Sequence, residues 1–172
     1  QRDIEDAHTQ SLADFFHHPV LLDPDQEALE EIPDLAAQGH PSVKIFLSFK
    51  RFDRNVEGFL KAMRIAAEVG SVVLLHCEDA ALMGCCGELV REAGLTSHRH
   101  YPETRPVVAE RIATERAIGF CEISGAATYI VHLSSQEALD VCRGGRARGL
   151  PLYVETRPIY LHLDRTRFDE PD

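Results

Sequence analysis

Three residues stand where an alternating α/β chain would be expected to do chemistry. Lys44 lies inside the apolar run SVKIFLSF (residues 42–49), His76 ends SVVLLH (71–76), and His132 lies near the end of TYIVHL (128–133). The C-terminal ends of parallel strands are where such folds build their sites. A lysine in a buried strand is the least expected of the three, because an ammonium in an apolar layer is costly unless paired or neutral. A neutral lysine amine can add carbon dioxide to form a carbamate, whose two oxygens can bridge two divalent ions. Imidazole is a natural ligand for zinc-like ions. Together the three read as half of a two-metal hydrolytic site. Each alone has a plainer reading. A lysine in a strand can sit at an edge or extend its head to water, and a histidine at a strand end can be a hydrogen-bonded core or loop residue.

The elements that must position these residues alternate along the chain. Residues 13–22 (ADFFHHPVLL) read as a strand. A helix follows over 23–39, with Asp25 as N-cap and Pro33 marking a kink or a second start. Residues 42–49 form a buried strand, 56–69 a helix, 71–76 a strand and 80–93 a helix. Residues 95–106 are a polar loop, 107–124 a helix, 128–133 a strand, 136–148 a helix and 150–155 a last strand. Gly144–Gly145 inside a helical pattern reads as a local weakness. Such alternation means parallel strands joined by crossover helices. Two closures fit the pattern: an open doubly wound sheet, or part of a (β/α)8 barrel, which takes about 250 residues when whole. The pattern does not choose between them.

Composition removes several functions. The chain has 172 residues, 44% of them hydrophobic, with a formal net charge of −10. An acidic chain is a poor partner for a phosphate backbone, so no nucleic-acid partner is expected. No apolar run approaches the ~18 residues of a membrane-spanning helix, so no membrane partner is expected either. Cys77, Cys85, Cys86, Cys121 and Cys142 are an odd set, mostly in apolar or helical text. That suggests reduced thiols and a cytoplasmic location. A phosphate-binding module would need a glycine-rich loop after a strand, and neither G-x-G-x-x-G nor G-x-x-x-x-G-K-[ST] occurs. Cys77 follows His76 directly, but neighbours in a strand point to opposite faces, which argues against a Cys–His nucleophile.

Five segments carry a resemblance: SVKIFLSF, LLHCEDAAL, YPETRPVVAERIATERAI, YIVHLSS and VETRPIYLHLD, in this order from about residue 13 to 164. Together they resemble the central part of the cyclic amidohydrolases, the family of dihydropyrimidinase (hydantoinase), allantoinase and dihydroorotase. The resemblance implies a slice of a (β/α)8 TIM barrel, about strands 3 to 7, with residues 1–172 as the central portion of one barrel domain. It implies Lys44 as a carboxylated lysine bridging two divalent ions, zinc being the first expectation, and His76 and His132 as ligands of the second ion. Arg105–Pro106 and the helix after it match a structural signature of the family. The implied reaction is hydrolytic opening of a dihydropyrimidine- or hydantoin-type ring by a hydroxide that bridges the ions. The implied partners are a small cyclic amide as substrate and further copies of the complete protein, tetramers being common among relatives. Glu78, Asp79 and Glu155 are candidates to orient the histidines.

The departures from the family pattern matter as much. Relatives carry an H-x-H pair on the first strand and an aspartate, ligand and general base, on the eighth; neither lies in this span. His17–His18 are adjacent, without the H-x-H spacing. His98 and His100 have that spacing but fall in the polar loop, where solvated residues are expected. The chain is therefore expected to be an internal portion, without turnover by itself. Five residues after the bridging lysine, hydantoinases carry a tyrosine that donates to the oxyanion; here the residue is Phe49, so that donor is lost. HCED at 76–79 leans toward allantoinase or dihydroorotase, whereas KIFLSF and ETRPIYLHLD lean toward dihydropyrimidinase, which ranks first. A non-catalytic scaffold on the same barrel is the rival from another class. Scaffold relatives usually lose the metal ligands, and this chain keeps the three its span could hold.

Overall fold

The computed structural model describes residues 2–170, with the side chains of residues 2–4 and 8 excepted. A short helix α1 (Arg2–Gln10) precedes α2 (Gln26–Ala37) and β1 (Ser42–Phe46). Then follow α3 (Lys50–Arg54), α4 (Val56–Glu68), β2 (Val72–His76), α5 (Ala80–Glu92), α6 (Val107–Ser124), β3 (Thr128–Ile130), α7 (Gln136–Ala147) and β4 (Leu152–Val154). Single 3₁₀ segments occupy His98–Thr104, Pro158–Leu161 and Arg165–Asp169. Among the described residues no helix is long and apolar enough to cross a membrane.

The four strands form one parallel sheet in the order β1-β2-β3-β4. Each strand lies beside the next in sequence, without a reversal. The crossover rule then places the connecting helices on one side of the sheet. The helices do form a row, α2 against α4, α4 against α6 and α6 against α7. Alternate strand residues face them: Val43, Ile45, Val73, Leu75, Thr128, Ile130 and Leu152 are all buried. Their neighbours Lys44, Phe46, Val72, Leu74, His76 and Tyr129 face the other way and are only half-buried. Register brings Lys44 beside Leu74 and Phe46 beside His76, so Lys44 and His76 share that second face.

Helix starts follow the capping chemistry of the sequence. The Asp25 carboxylate accepts from the Ala28 N–H at 2.9 Å, and Ser135 Oγ accepts from the Ala138 N–H at 3.3 Å. α6 has the expected bounds and ends on Gly125, whose φ of 72° suits a residue without a Cβ.

Several expectations need correction. Residues 13–22 do not form a strand: the run makes a single parallel bridge, Val20 to Lys44. Pro19 cannot donate to a ladder, though its carbonyl accepts from the Lys44 N–H at 2.8 Å. The sheet therefore has four strands, not five. That bridge also removes the edge-residue reading of Lys44, whose backbone is engaged by residues 19–21 on one side and β2 on the other. Pro33 does not divide α2, which is continuous across it; Pro33 is exposed, so water can reach the carbonyl it leaves without an N–H partner. β1 stops at Phe46, and Lys50–Arg54 adds a short helix. The polar loop holds a 3₁₀ turn over His98–Thr104. Gly145 is not a weakness but a close approach: a Cβ there would lie 2.5 Å from Leu152 Cδ1.

Candidate functional site

His76 and His132 meet at the C-terminal end of the sheet. Their Nδ1 and Nε2 atoms are 2.8 Å apart, and the rings cross at 69°. His76 reaches this point as the last residue of a regular strand. His132 reaches it two residues beyond β3, in left-handed backbone with φ 43°. It is the one described non-glycine residue with positive φ, a conformation that costs about 1–3 kcal/mol and persists where the surroundings over-determine it. Those surroundings are evident: the Val131 N–H donates to the Leu75 carbonyl, and the Leu133 N–H to the Glu155 carbonyl at 2.8 Å.

Glu78 sits on the far nitrogen of His76, 2.9 Å from Nε2. The carboxylate accepts, so Nε2 carries the proton and the Nδ1 lone pair points at His132. Arg105 pairs with the same Glu78 oxygen and stacks over the Tyr101 ring. Burial alone would raise the Glu78 carboxyl; hydrogen bonds from His76 and Arg105 overcome it and hold it below the usual carboxylate range. His132 is pushed down by burial and by the neighbouring His76, so it is neutral near pH 7.

Lys44 lies on the same face of the sheet. Its ammonium stands 4.8 Å from the Phe46 ring centroid, and its charge is felt at His132. Burial lowers its pKa to about 8, against the opposing pull of Cys77 and Glu155. The free amine is then a minor form near pH 7 and about half of the population near pH 8. Phe49 stacks on Phe46 at 4.9 Å, and Phe46 in turn lies 5.4 Å from the His76 ring. An apolar wall therefore stands where a hydroxyl donor was sought.

The remaining sequence candidates separate cleanly. Of the three residues considered for orienting the histidines, Glu78 does so. Asp79 instead caps α5, accepting from the Ala81 and Leu82 N–H groups, and pairs with Arg116. The Glu155 carboxylate acts on Lys44 by charge, while its backbone carbonyl holds Leu133. His18 bonds Ser42 at the opposite end of β1. His98 is exposed on its 3₁₀ turn. The five cysteines are free, and burial pushes the Cys77 thiol up, which removes it as a nucleophile. Sequence reasoning missed the Arg105–Glu78–His76 chain, because it links residues 27 positions apart; the Arg-Pro pair was the available signal. A cleft of about 430 Å³ opens beside the histidines, lined by Glu78, Arg105, Glu110, Ser134 and Arg157 among others.

Among the described residues no group of three or more His, Cys, Asp and Glu is set to hold an ion. The donor set still suits one. A tetrahedral zinc with bonds of about 2.0–2.1 Å holds two nitrogens about 3.3 Å apart; the facing nitrogens lie at 2.8 Å, so an ion there would displace the proton of their hydrogen bond and turn both rings toward itself. A carbamate on Lys44 would supply oxygen from the same face.

No family model matches the chain. Among curated proteins, a D-hydantoinase of Streptomyces coelicolor is 34% identical over 160 residues, covering 92% of this chain and 34% of that protein. A D-phenylhydantoinase of Escherichia coli is 36% identical over 165 residues, covering 95% of this chain and 35% of that one. The crystal structure of dihydropyrimidinase from Brevibacillus agri superposes with a TM-score of 0.90 at 30% identity, over 99% of this chain and 38% of that chain. The chain thus spans about a third of the length of the relatives it matches. On this likeness in sequence and fold, it belongs to the cyclic amidohydrolase family.

Proposed function

We propose that this chain is the central part of a (β/α)8 barrel that opens cyclic amide rings, its four strands standing as about strands 4 to 7 and the Val20 bridge marking the place of strand 3, with a dihydropyrimidine or hydantoin as first substrate class. The observation that carries the reading is the convergence of His76 Nδ1 and His132 Nε2 at 2.8 Å, on the face that Lys44 also occupies. The topology supports the barrel. Four strands in unbroken order with helices on one side leave the other side half-covered, and a parallel sheet needs both faces buried. Closing the sheet on itself meets that need.

In this reading Lys44, as a carbamate, bridges two divalent ions, and His76 and His132 hold the second. Such ions, when bound, polarise the amide carbonyl and supply a water-derived nucleophile at neutral pH. Burial keeps the Lys44 amine available for carboxylation. Glu78, itself held by Arg105, keeps the His76 proton on Nε2 and presents Nδ1 to the ion. The proton shuttle lies outside this span, so the 172-residue chain alone has no turnover. The complete protein is a cytoplasmic homo-oligomer. Phe49 favours a second reading, in which the substrate is of the allantoinase or dihydroorotase type. A phenyl ring cannot donate to an oxyanion, and one such donor contributes about 2.7–4 kcal/mol.

Metal content and hydrolysis of hydantoin, dihydrouracil, allantoin and dihydroorotate test the proposal on the complete protein and on Lys44→Ala. We expect about two divalent ions per chain in the wild type, and loss of both metal and turnover in the variant, with recovery by added short-chain carboxylic acids. Undiminished hydrolysis by Lys44→Ala without such acids overturns the role of Lys44. A metal-free wild type inert toward all four substrates leaves the scaffold reading.

A further inference from the structure

Both histidine-bearing loops end on one short stretch of chain, the entry to α6. After β2, Glu78 pairs with Arg105, and the Asp79 N–H donates to the Ala109 carbonyl at 3.1 Å. After β3, the Ser134 N–H and the Ser134 hydroxyl both donate to Glu110 Oε1, at 2.8 and 3.1 Å. Ala109 and Glu110 are consecutive, so the two loops are referenced to adjacent residues of a single rigid helix.

The Glu110 contact has a specific burden. Ser134 lies two residues after His132, whose left-handed backbone relaxes toward negative φ unless restrained. Glu110 is half-buried at the edge of the cleft, and its second oxygen, Oε2, is buried without a hydrogen-bond partner among the described residues. A carboxylate with one oxygen buried and unpaired is an unfavourable way merely to fill space; an apolar residue of similar size would fill it better. What the carboxylate does that an apolar residue could not is accept twice from Ser134.

We infer that Glu110 is a positioning residue: through Ser134 it fixes the left-handed turn at His132 and thereby sets the separation of His132 Nε2 from His76 Nδ1. The consequence for ion binding rests on the metal-centre reading above. The separation itself is a property of the metal-free protein.

Glu110→Met is the decisive variant. It keeps the bulk but cannot accept from Ser134; because it also removes an acidic residue from the first turn of α6, its melting temperature is measured alongside to establish that it is folded. Glu110→Gln keeps an acceptor oxygen. In the metal-free protein, ¹⁵N NMR of the imidazole nitrogens is expected to show the His76–His132 hydrogen bond in the wild type and in Glu110→Gln, and not in Glu110→Met. Cobalt(II) titration followed by visible absorption is expected to show affinity about 10–100-fold weaker in Glu110→Met, restored toward wild type by Glu110→Gln. A folded Glu110→Met that keeps both the ring hydrogen bond and wild-type cobalt affinity overturns the inference. A wild type that shows the ring hydrogen bond but takes up no cobalt overturns the metal-centre reading instead, and the ring signal of Glu110→Met then decides the inference alone.

Discussion

The two faces of the sheet are made of alternate residues in the same strands, and they do different things. On one face Val43, Ile45, Val73, Leu75 and Ile130 are shut away under α4, α6 and α7. On the other Lys44, Phe46, Leu74, His76 and Tyr129 stay half-buried. One face is a folding core. The other carries Lys44, whose pKa burial lowers to about 8, and the His76 ring that meets His132. Because strand side chains alternate with a period of two, the effect of a substitution should depend on its parity more than on its place along the strand.

Adjacent leucines provide the largest test of that division. Leu75→Ala opens a cavity under the helices and is expected to cost about 2–5 kcal/mol in urea unfolding. Leu74→Ala in the 172-residue chain should cost under about 1 kcal/mol, since its side chain is already half in solvent. Equal losses at the two positions would erase the distinction between the faces. In the complete protein, where the proposed further strands would cover Leu74, the two losses should converge. A gap that persists there counts against barrel closure.

Lys44 gives a smaller effect of opposite sign. Lys44→Met removes an ammonium that burial disfavours and should stabilise the metal-free chain, in degassed buffer at pH 7, by about 1–2 kcal/mol. The pH dependence follows from linkage. The folded pKa is lowered to about 8 from 10.5, so between these values the unfolded chain binds more protons than the folded one. Wild-type stability therefore rises with pH across that window. The advantage of Lys44→Met is full below pH 8 and shrinks toward pH 10.5. A constant or growing difference would show that the lysine amine is not buried as a disfavoured cation.

The succession of parallel strands was legible in the sequence, and that is why Lys44, His76 and His132, in or at the ends of those strands, could be singled out before any coordinates; which face each occupies was not. Caps at Asp25 and the bounds of α6 were legible because they depend on contacts within one or two turns. What failed was where a proline meets the tertiary structure. Pro19 reduces the expected first strand to one bridge, while Pro33 does no visible harm on an exposed helix face. The contacts that orient the histidines were the least legible. Glu78 was one of three candidates. Its selection over Asp79 depends on Arg105 and Arg116, which α6 and its approach bring from 27 and 37 residues away. Glu110 carries no local sign of its partner, because Ser134 lies on the next βα loop.

The two histidines differ in a way that no sequence pattern announces, and the smallest predicted effect exposes it. His76 closes a regular strand, where glycine costs about 0.5–1 kcal/mol relative to alanine. His132 sits at φ 43°, where any Cβ is strained by about 1–2 kcal/mol and glycine is not. Each histidine can be replaced by both alanine and glycine, which removes the imidazole equally and isolates the backbone term. We expect His76→Ala to be more stable than His76→Gly, and His132→Gly to be more stable than His132→Ala by about 1 kcal/mol, read from the midpoints of urea unfolding at constant slope. The same order at both positions would mean that the left-handed turn is not held in solution. Inversion at His132 alone would mean that the fold spends stability to bring one imidazole round to face the other. That expense has no folding purpose, because β3 has already ended and the pairings of Val131 and Leu133 do not require a histidine between them.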